Sequence, residues 1–175
     1  MYVKNKMATS IIEHQKVWDY PTMQAKSTRG EITITPQKQD PEDIQMTYVD
    51  FAMNSSNILT LDSGHIKQTY YDGWPVEVTA SAYIKVNSNN TQVDLYIYHY
   101  QTEESTGQPG REVEVAAGQV TLTTTGGVVQ ITPRIVGPVY ANDYFCLKAR
   151  IKNGSGTIVC NHKDTQLQVK LLPNS

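Results

Sequence analysis

VEVTASAYIKVNSNNTQVDLYIYHY, residues 76–100, decides the fold class. Val76, Val78, Ala80, Ala82, Ile84 and Val86 occupy every second position, and Glu77, Thr79, Ser81, Tyr83 and Lys85 fill the gaps. A period of two sustained over this length is the mark of a β-strand buried on one face. Asn87–Asn90 form a polar turn cluster. The next strand carries Val93, Leu95 and Ile97 on one side and Tyr96, Tyr98 and Tyr100 on the other. Both of its faces are apolar or aromatic, whereas a strand with one wet face needs only one. The tyrosine face therefore asks for a second explanation.

The pattern continues outward in both directions. Upstream, short strands are expected over 31–35, 44–51, 58–61 and 66–71, with Asp72-Gly73 as a turn. Downstream, TEESTGQPG at 102–110 reads as an exposed loop, 111–116 and 119–125 as two strands about Ala117-Gly118, and 128–136 as the strand after the Gly126-Gly127 hairpin turn. Gly137-Pro138 ends that strand. Phe145, Leu147, Ala149 and Ile151 form the core side of the next, Asn153-Gly154 turns, and Leu167, Val169 and Leu171 line the last. Ten to twelve short strands with no helical period after residue 20 make an antiparallel β-sandwich or barrel.

Residues 1–30 do not alternate. Ser10 and Glu13 have capping-box spacing, a helix over 10–18 would place Met7, Ile11, His14 and Trp18 on one face, and Pro21 would end it. One short helix builds no core. The expectation is an N-terminal arm, 1–30, whose apolar anchors Ile11, Ile12, Val17 and Trp18 attach to something larger, followed by a domain over 31–175. A partly ordered leader is the alternative.

Composition narrows the function. Fifteen basic and seventeen acidic residues give a net charge of −2, so no general attraction to nucleic acid or an anionic membrane is expected. No apolar run is long enough for a membrane-spanning helix, and MYVKNKMATS lacks the apolar core of a secretory signal. Eleven tyrosines against two phenylalanines suit surfaces that are wet at one time and buried at another. Cys146 and Cys160 read either as two free thiols or as one bridge between neighbouring strands. His14, His65, His99 and His162 show no metal-ligand spacing, and no nucleophile motif or phosphate loop occurs. No catalytic residue, metal or cofactor is expected. His99 shares the parity of Leu95 and Ile97, which predicts a buried, hydrogen-bonded histidine or one at a strand end.

Ala141-Asn142-Asp143-Tyr144-Phe145-Cys146-Leu147-Lys148-Ala149 resembles the G-D-x-V-x-L strand of the tumour-necrosis-factor and C1q-like jelly rolls, with Asn142 in place of glycine. The closing Gln166–Leu172 resembles that fold's last strand. The likeness spans roughly 31–172, and domains of this kind, behind a short N-terminal arm, occur in bacteriophage virion proteins. It implies a jelly-roll β-sandwich and a homotrimer. It also implies that the strands at 91–100 and 144–151 share a sheet with the last strand, and that the outer face of this sheet is the contact between subunits. Tyr96, Tyr98, Tyr100, Tyr144 and Gln168 would then meet at the three-fold axis. A second core layer under the arm and a sugar-binding platform are the other readings of the tyrosines.

The leading expectation is a non-enzymatic virion protein: a trimer assembled in the bacterial host cytoplasm that decorates the outer capsid and takes the major capsid protein as partner. The alternative is the receptor-binding tip of a tail fibre or baseplate, recognising a host surface glycan. A secreted C1q-like module is the third reading.

Overall fold

The computed structural model describes residues 20–34, 40–53, 57–70, 72–123 and 125–173. Within them the chain forms β1 (Thr22–Lys26), β2 (Glu31–Ile34), β3 (Glu42–Ile44), β4 (Tyr48–Met53), β5 (Leu59–Asp62), β6 (His65–Gln68), β7 (Trp74–Val86) and β8 (Thr91–Gln101). A single helical turn, α1 (Glu103–Thr106), precedes β9 (Arg111–Leu122), β10 (Gly127–Val139), β11 (Tyr144–Ile151), β12 (Gly156–Val159) and β13 (Gln166–Leu171). All strand pairings are antiparallel. The all-β fold expected from the alternation is observed, in the form of the jelly-roll sandwich that the resemblance implies.

The first sheet runs β4-β1-β13-β7-β12-β2, with β10 also paired to β7. The second runs β5-β6-β11-β8-β9, with β3 paired to β11. The six apolar residues of 76–86 face inward and are buried. They meet Leu95, Ile97, Phe145, Leu147, Ala149 and Ile151 from the second sheet, and the first sheet adds Leu167, Val169 and Leu171. Removing each such aliphatic side chain from water contributes about 1.5–3 kcal/mol, which holds the two layers together.

Four expectations change. β10 runs on through Gly137-Pro138 to Val139, so that pair does not end the strand. The sandwich opens at Thr22, not after Gly30: β1 pairs with both β13 and β4, and Met23 and Ala25 are buried in the core. Two apolar residues are too few to show a period, so only long-range pairing makes TMQAK a strand. Residues 111–122 form one strand, and Gly118 is not a turn. A Cβ there would lie 2.1 Å from the Gln130 carbonyl oxygen, so glycine is what lets β9 and β10 approach where the two sheets close on each other. Finally, β13 does not share a sheet with β8 and β11. It pairs with β7 and β1, while β8 pairs with β11 and β9. Period two assigns a side chain to a face; it does not say which sheet carries the strand.

Asn142 has a φ of 73°, and its N–H donates to the Gln68 carbonyl at 2.7 Å. The position requires left-handed backbone, which asparagine tolerates better than most residues. The substitution for the glycine of the resembled motif keeps the turn.

Candidate functional site

Two outer faces remain once the core is accounted for, and the expected interface residues are divided between them.

The outer face of the second sheet holds Tyr96, Tyr98 and Tyr100 on β8, opposite Lys148, Cys146 and Tyr144 on β11. They form a ladder with extensive contacts within the chain. Asp94, only 3% exposed, lies at its base. It accepts hydrogen bonds from Tyr96 Oη at 2.9 Å, Gln119 Nε2 at 2.8 Å and Arg150 Nη2 at 3.1 Å, and Lys152 Nζ stands 3.4 Å away. Burial alone would raise the Asp94 pKa. The hydrogen bonds from Gln119, Tyr96, Arg150 and Gln92 outweigh that and hold it at about 2. Burial, and then its bond to Asp94, push Tyr96 up to about 12.

Higher on the ladder, Lys148 Nζ lies 5.0 Å over the Tyr98 ring and pairs with Glu112 at 2.6 Å. Tyr100 stacks on Tyr144 at 4.6 Å, and Tyr144 on His65 at 5.0 Å. Burial and the nearby Glu112 charge raise Tyr144 to about 12. Each ring has a face covered by a neighbour from its own chain. Sugar stacking needs an open aromatic face, so the platform expected of these tyrosines is partly spent within the chain.

The outer face of the first sheet is built differently. Gln168 sits at its middle, opposite Thr79 on β7 and Gln24 on β1. Gln166 lies opposite Ser81, which in turn lies opposite Gln130 on β10. The centre is thus amide and hydroxyl, with the charged pair Lys26–Asp50 toward one margin and Lys170 opposite Glu77 toward another. Apolar residues lie exposed at its two edges: Tyr48 and Phe51 on β4, the latter 49% exposed, and Ile135 on β10, 66% exposed. Gln168 is therefore on the opposite side of the sandwich from Tyr96, Tyr98, Tyr100 and Tyr144. The sequence reading passed over Phe51, Tyr48 and Ile135. Apolar residues of both parities in 48–53 were the available signal, and they do not reveal an edge strand.

Ile11, Ile12, Val17 and Trp18 lie outside the described residues. Cys146 and Cys160 are both buried and free. Burial, and then Glu112, raise the Cys146 thiol well above its ordinary range, so it stays protonated. His99 is the buried, hydrogen-bonded histidine that parity predicts. Its Nε2 lies 2.9 Å from Asp143 Oδ2, and Asp143 also accepts from the N–H groups of Thr102 and Tyr140. Burial raises the Asp143 pKa, but the bonds from His99 and these amides bring it below the usual carboxylate range. This pair ties the end of β8 to the turn before β11. Among the described residues no group of three or more His, Cys, Asp or Glu side chains is placed to hold a metal ion.

No family model matches the chain, and no curated protein matches its sequence. Solved structures do. An Eiger TNF from S. frugiperda aligns with a TM-score of 0.62 at 9% identity, over 90% of this chain and 95% of that one. Murine APRIL aligns with a TM-score of 0.62 at 7% identity, over 87% of this chain and 99% of its own. At such identities the likeness is one of fold: the chain has the tumour-necrosis-factor and C1q-like jelly roll.

Proposed function

We propose that the chain is the subunit of a homotrimeric, non-enzymatic receptor-binding module, with the outer face of its first sheet at the subunit contact. The observation that carries this is the make-up of that face: an uncharged Gln/Thr/Ser centre between two edges bearing exposed apolar side chains. Interface cores are depleted of charge, and aromatic side chains such as Tyr48 and Phe51 are enriched at contact surfaces. The resembled fold assembles through the sheet that contains the last strand, and β13 with Gln168 is in this sheet. The tyrosine ladder then stays on the outside of the trimer, where a partner on a cell surface meets it. A host glycan would engage it through hydroxyls and charged groups more than through ring faces.

The narrower expectation, a decoration protein anchored to a phage capsid through Ile11, Ile12, Val17 and Trp18, depends on residues outside the described ones, and the fold likeness adds nothing to it. Removing residues 1–19 and measuring binding to capsids tests that attachment separately. Sedimentation equilibrium tests the module itself. The expected mass is three times the 19.6 kDa subunit, and a monomer at micromolar concentration overturns the reading.

A further inference from the structure

The β10 strand breaks its pairing with β7 between Ile131 and Arg134, where Thr132 and Pro133 together stand opposite Thr79 alone, one residue more than the ladder holds. Proline cannot donate to a ladder, so a bulge is where it belongs in a paired strand. The Ile131 carbonyl is taken up by the Thr79 hydroxyl at 2.7 Å. The departure of β10 opens a cavity of about 220 Å³ on the outer face of the first sheet, lined by Thr79, Gln130, Ile131, Thr132, Pro133 and Gln166. None of these side chains is charged. On the far side of Ile131 and Thr132 a second cavity, of about 280 Å³, includes Glu114 and Arg134 in its wall. A guest in the first can lie against Ala80, Ile131 and Pro133 without desolvating a charge, whereas a guest in the second would desolvate Glu114 or Arg134.

Phe51 is the complementary feature. It projects from the same face, since it lies opposite the outward-facing Gln24, and it is half exposed on the edge strand β4. A cavity of roughly 150 Å³ takes a benzene ring, so 220 Å³ admits a phenyl group with room at the rim. Four strand spacings separate β4 from β10 across the sheet, roughly 19 Å, which a phenylalanine side chain cannot span. Only another copy of the chain can deliver Phe51 to this cavity.

We propose that Phe51 of one subunit inserts into the Thr132–Pro133 bulge cavity of the next. Knob and hole lie at opposite edges of one sheet, so the contact is heterologous and each subunit offers one of each; three copies close the ring. This rests on the trimer proposed above and assigns the residue that each subunit contributes. Phe51→Ala weakens assembly, and Thr132→Trp, which fills the hole, dissociates the ring while leaving the β circular dichroism unchanged.

The decisive experiment uses the full chain with p-benzoylphenylalanine at position 51, mixed with isotopically heavy chain, irradiated, and mapped by mass spectrometry. The expected product is an inter-chain link to the peptide containing residues 130–133, in covalent species of up to three chains. An intact trimer whose probe links elsewhere, within its own chain or not at all overturns this contact and leaves the trimer standing. A wild-type chain that sediments as a monomer removes both.

Discussion

The two outer faces of this sandwich are built from the same polar-rich alphabet and do opposite things with it. On the second sheet, Asp94, Tyr96, Arg150, Tyr98, Lys148 and Glu112 bond to one another along the β8–β11 ladder. Desolvated charge is balanced by partners in the same chain, so the face belongs to the fold of the single subunit. On the first sheet, Gln24, Gln168, Thr79 and Gln166 carry no charge, and the apolar groups sit at the margins where no strand covers them. Gln24 and Thr79 bond within the chain, to Asp50 and to the Ile131 carbonyl, but among the described residues no ion pair crosses the centre of that face. On the assembly proposed above, aromatic content is a poor guide to an interface. What matters is whether the groups are already satisfied.

Substitutions on the two faces separate subunit stability from assembly. Asp94→Ala removes the buried acceptor shared by Arg150, Tyr96 and Gln119, and a loss of about 3 kcal/mol in unfolding free energy is expected, read by denaturant melts. Sedimentation of the variant at low temperature should still report the oligomer. If the mass falls instead, the ladder takes part in the subunit contact and the contrast between the faces collapses.

Acid sharpens the same contrast. The folded pKa of Asp94 is depressed to about 2, below its unfolded value near 3.9. Its contribution is therefore fully present above pH 4 and is lost as pH falls toward 2, on the order of 2 kcal/mol. Unfolding free energies between pH 5 and 2 should show this slope, and Asp94→Asn should reduce it, leaving the part that Asp143 contributes.

On the other face, Gln168→Glu places an uncompensated charge at the middle of the first sheet, with Thr79 and Gln24 as its cross-strand neighbours. Association should weaken roughly tenfold, about 1.4 kcal/mol, with an unchanged subunit melt in dilute solution. Unaltered sedimentation across a hundredfold dilution would place the contact elsewhere. The smallest effect is expected from Lys148→Gln, which removes the cation over Tyr98 and the Glu112 pair. About 0.5–1 kcal/mol of stability should be lost, with no change in mass.

The alternation of residues 76–86 and the apolar positions at 93, 95, 97, 145, 147, 149, 151, 167, 169 and 171 were enough, without coordinates, to establish an all-β sandwich and most of its core. Side-chain parity is a local property of extended backbone, so it is written in the order of residues. The burial of His99 was legible for the same reason, and the break after β8 at 102–110 was legible from its polar, glycine- and proline-bearing composition. The sheet to which each strand belongs was not. Whether Gln168 stands beside Tyr98 or on the far side of the molecule depends on β13 choosing β7 and β1, a pairing made across many residues of intervening chain. The strand at Thr22–Lys26, the approach of Gly118 to Gln130, the cavity at the Thr132–Pro133 bulge and the intra-chain bonding of the tyrosine ladder are likewise products of distant segments meeting. Periodicity fixes which way a side chain faces; only tertiary pairing decides what it faces.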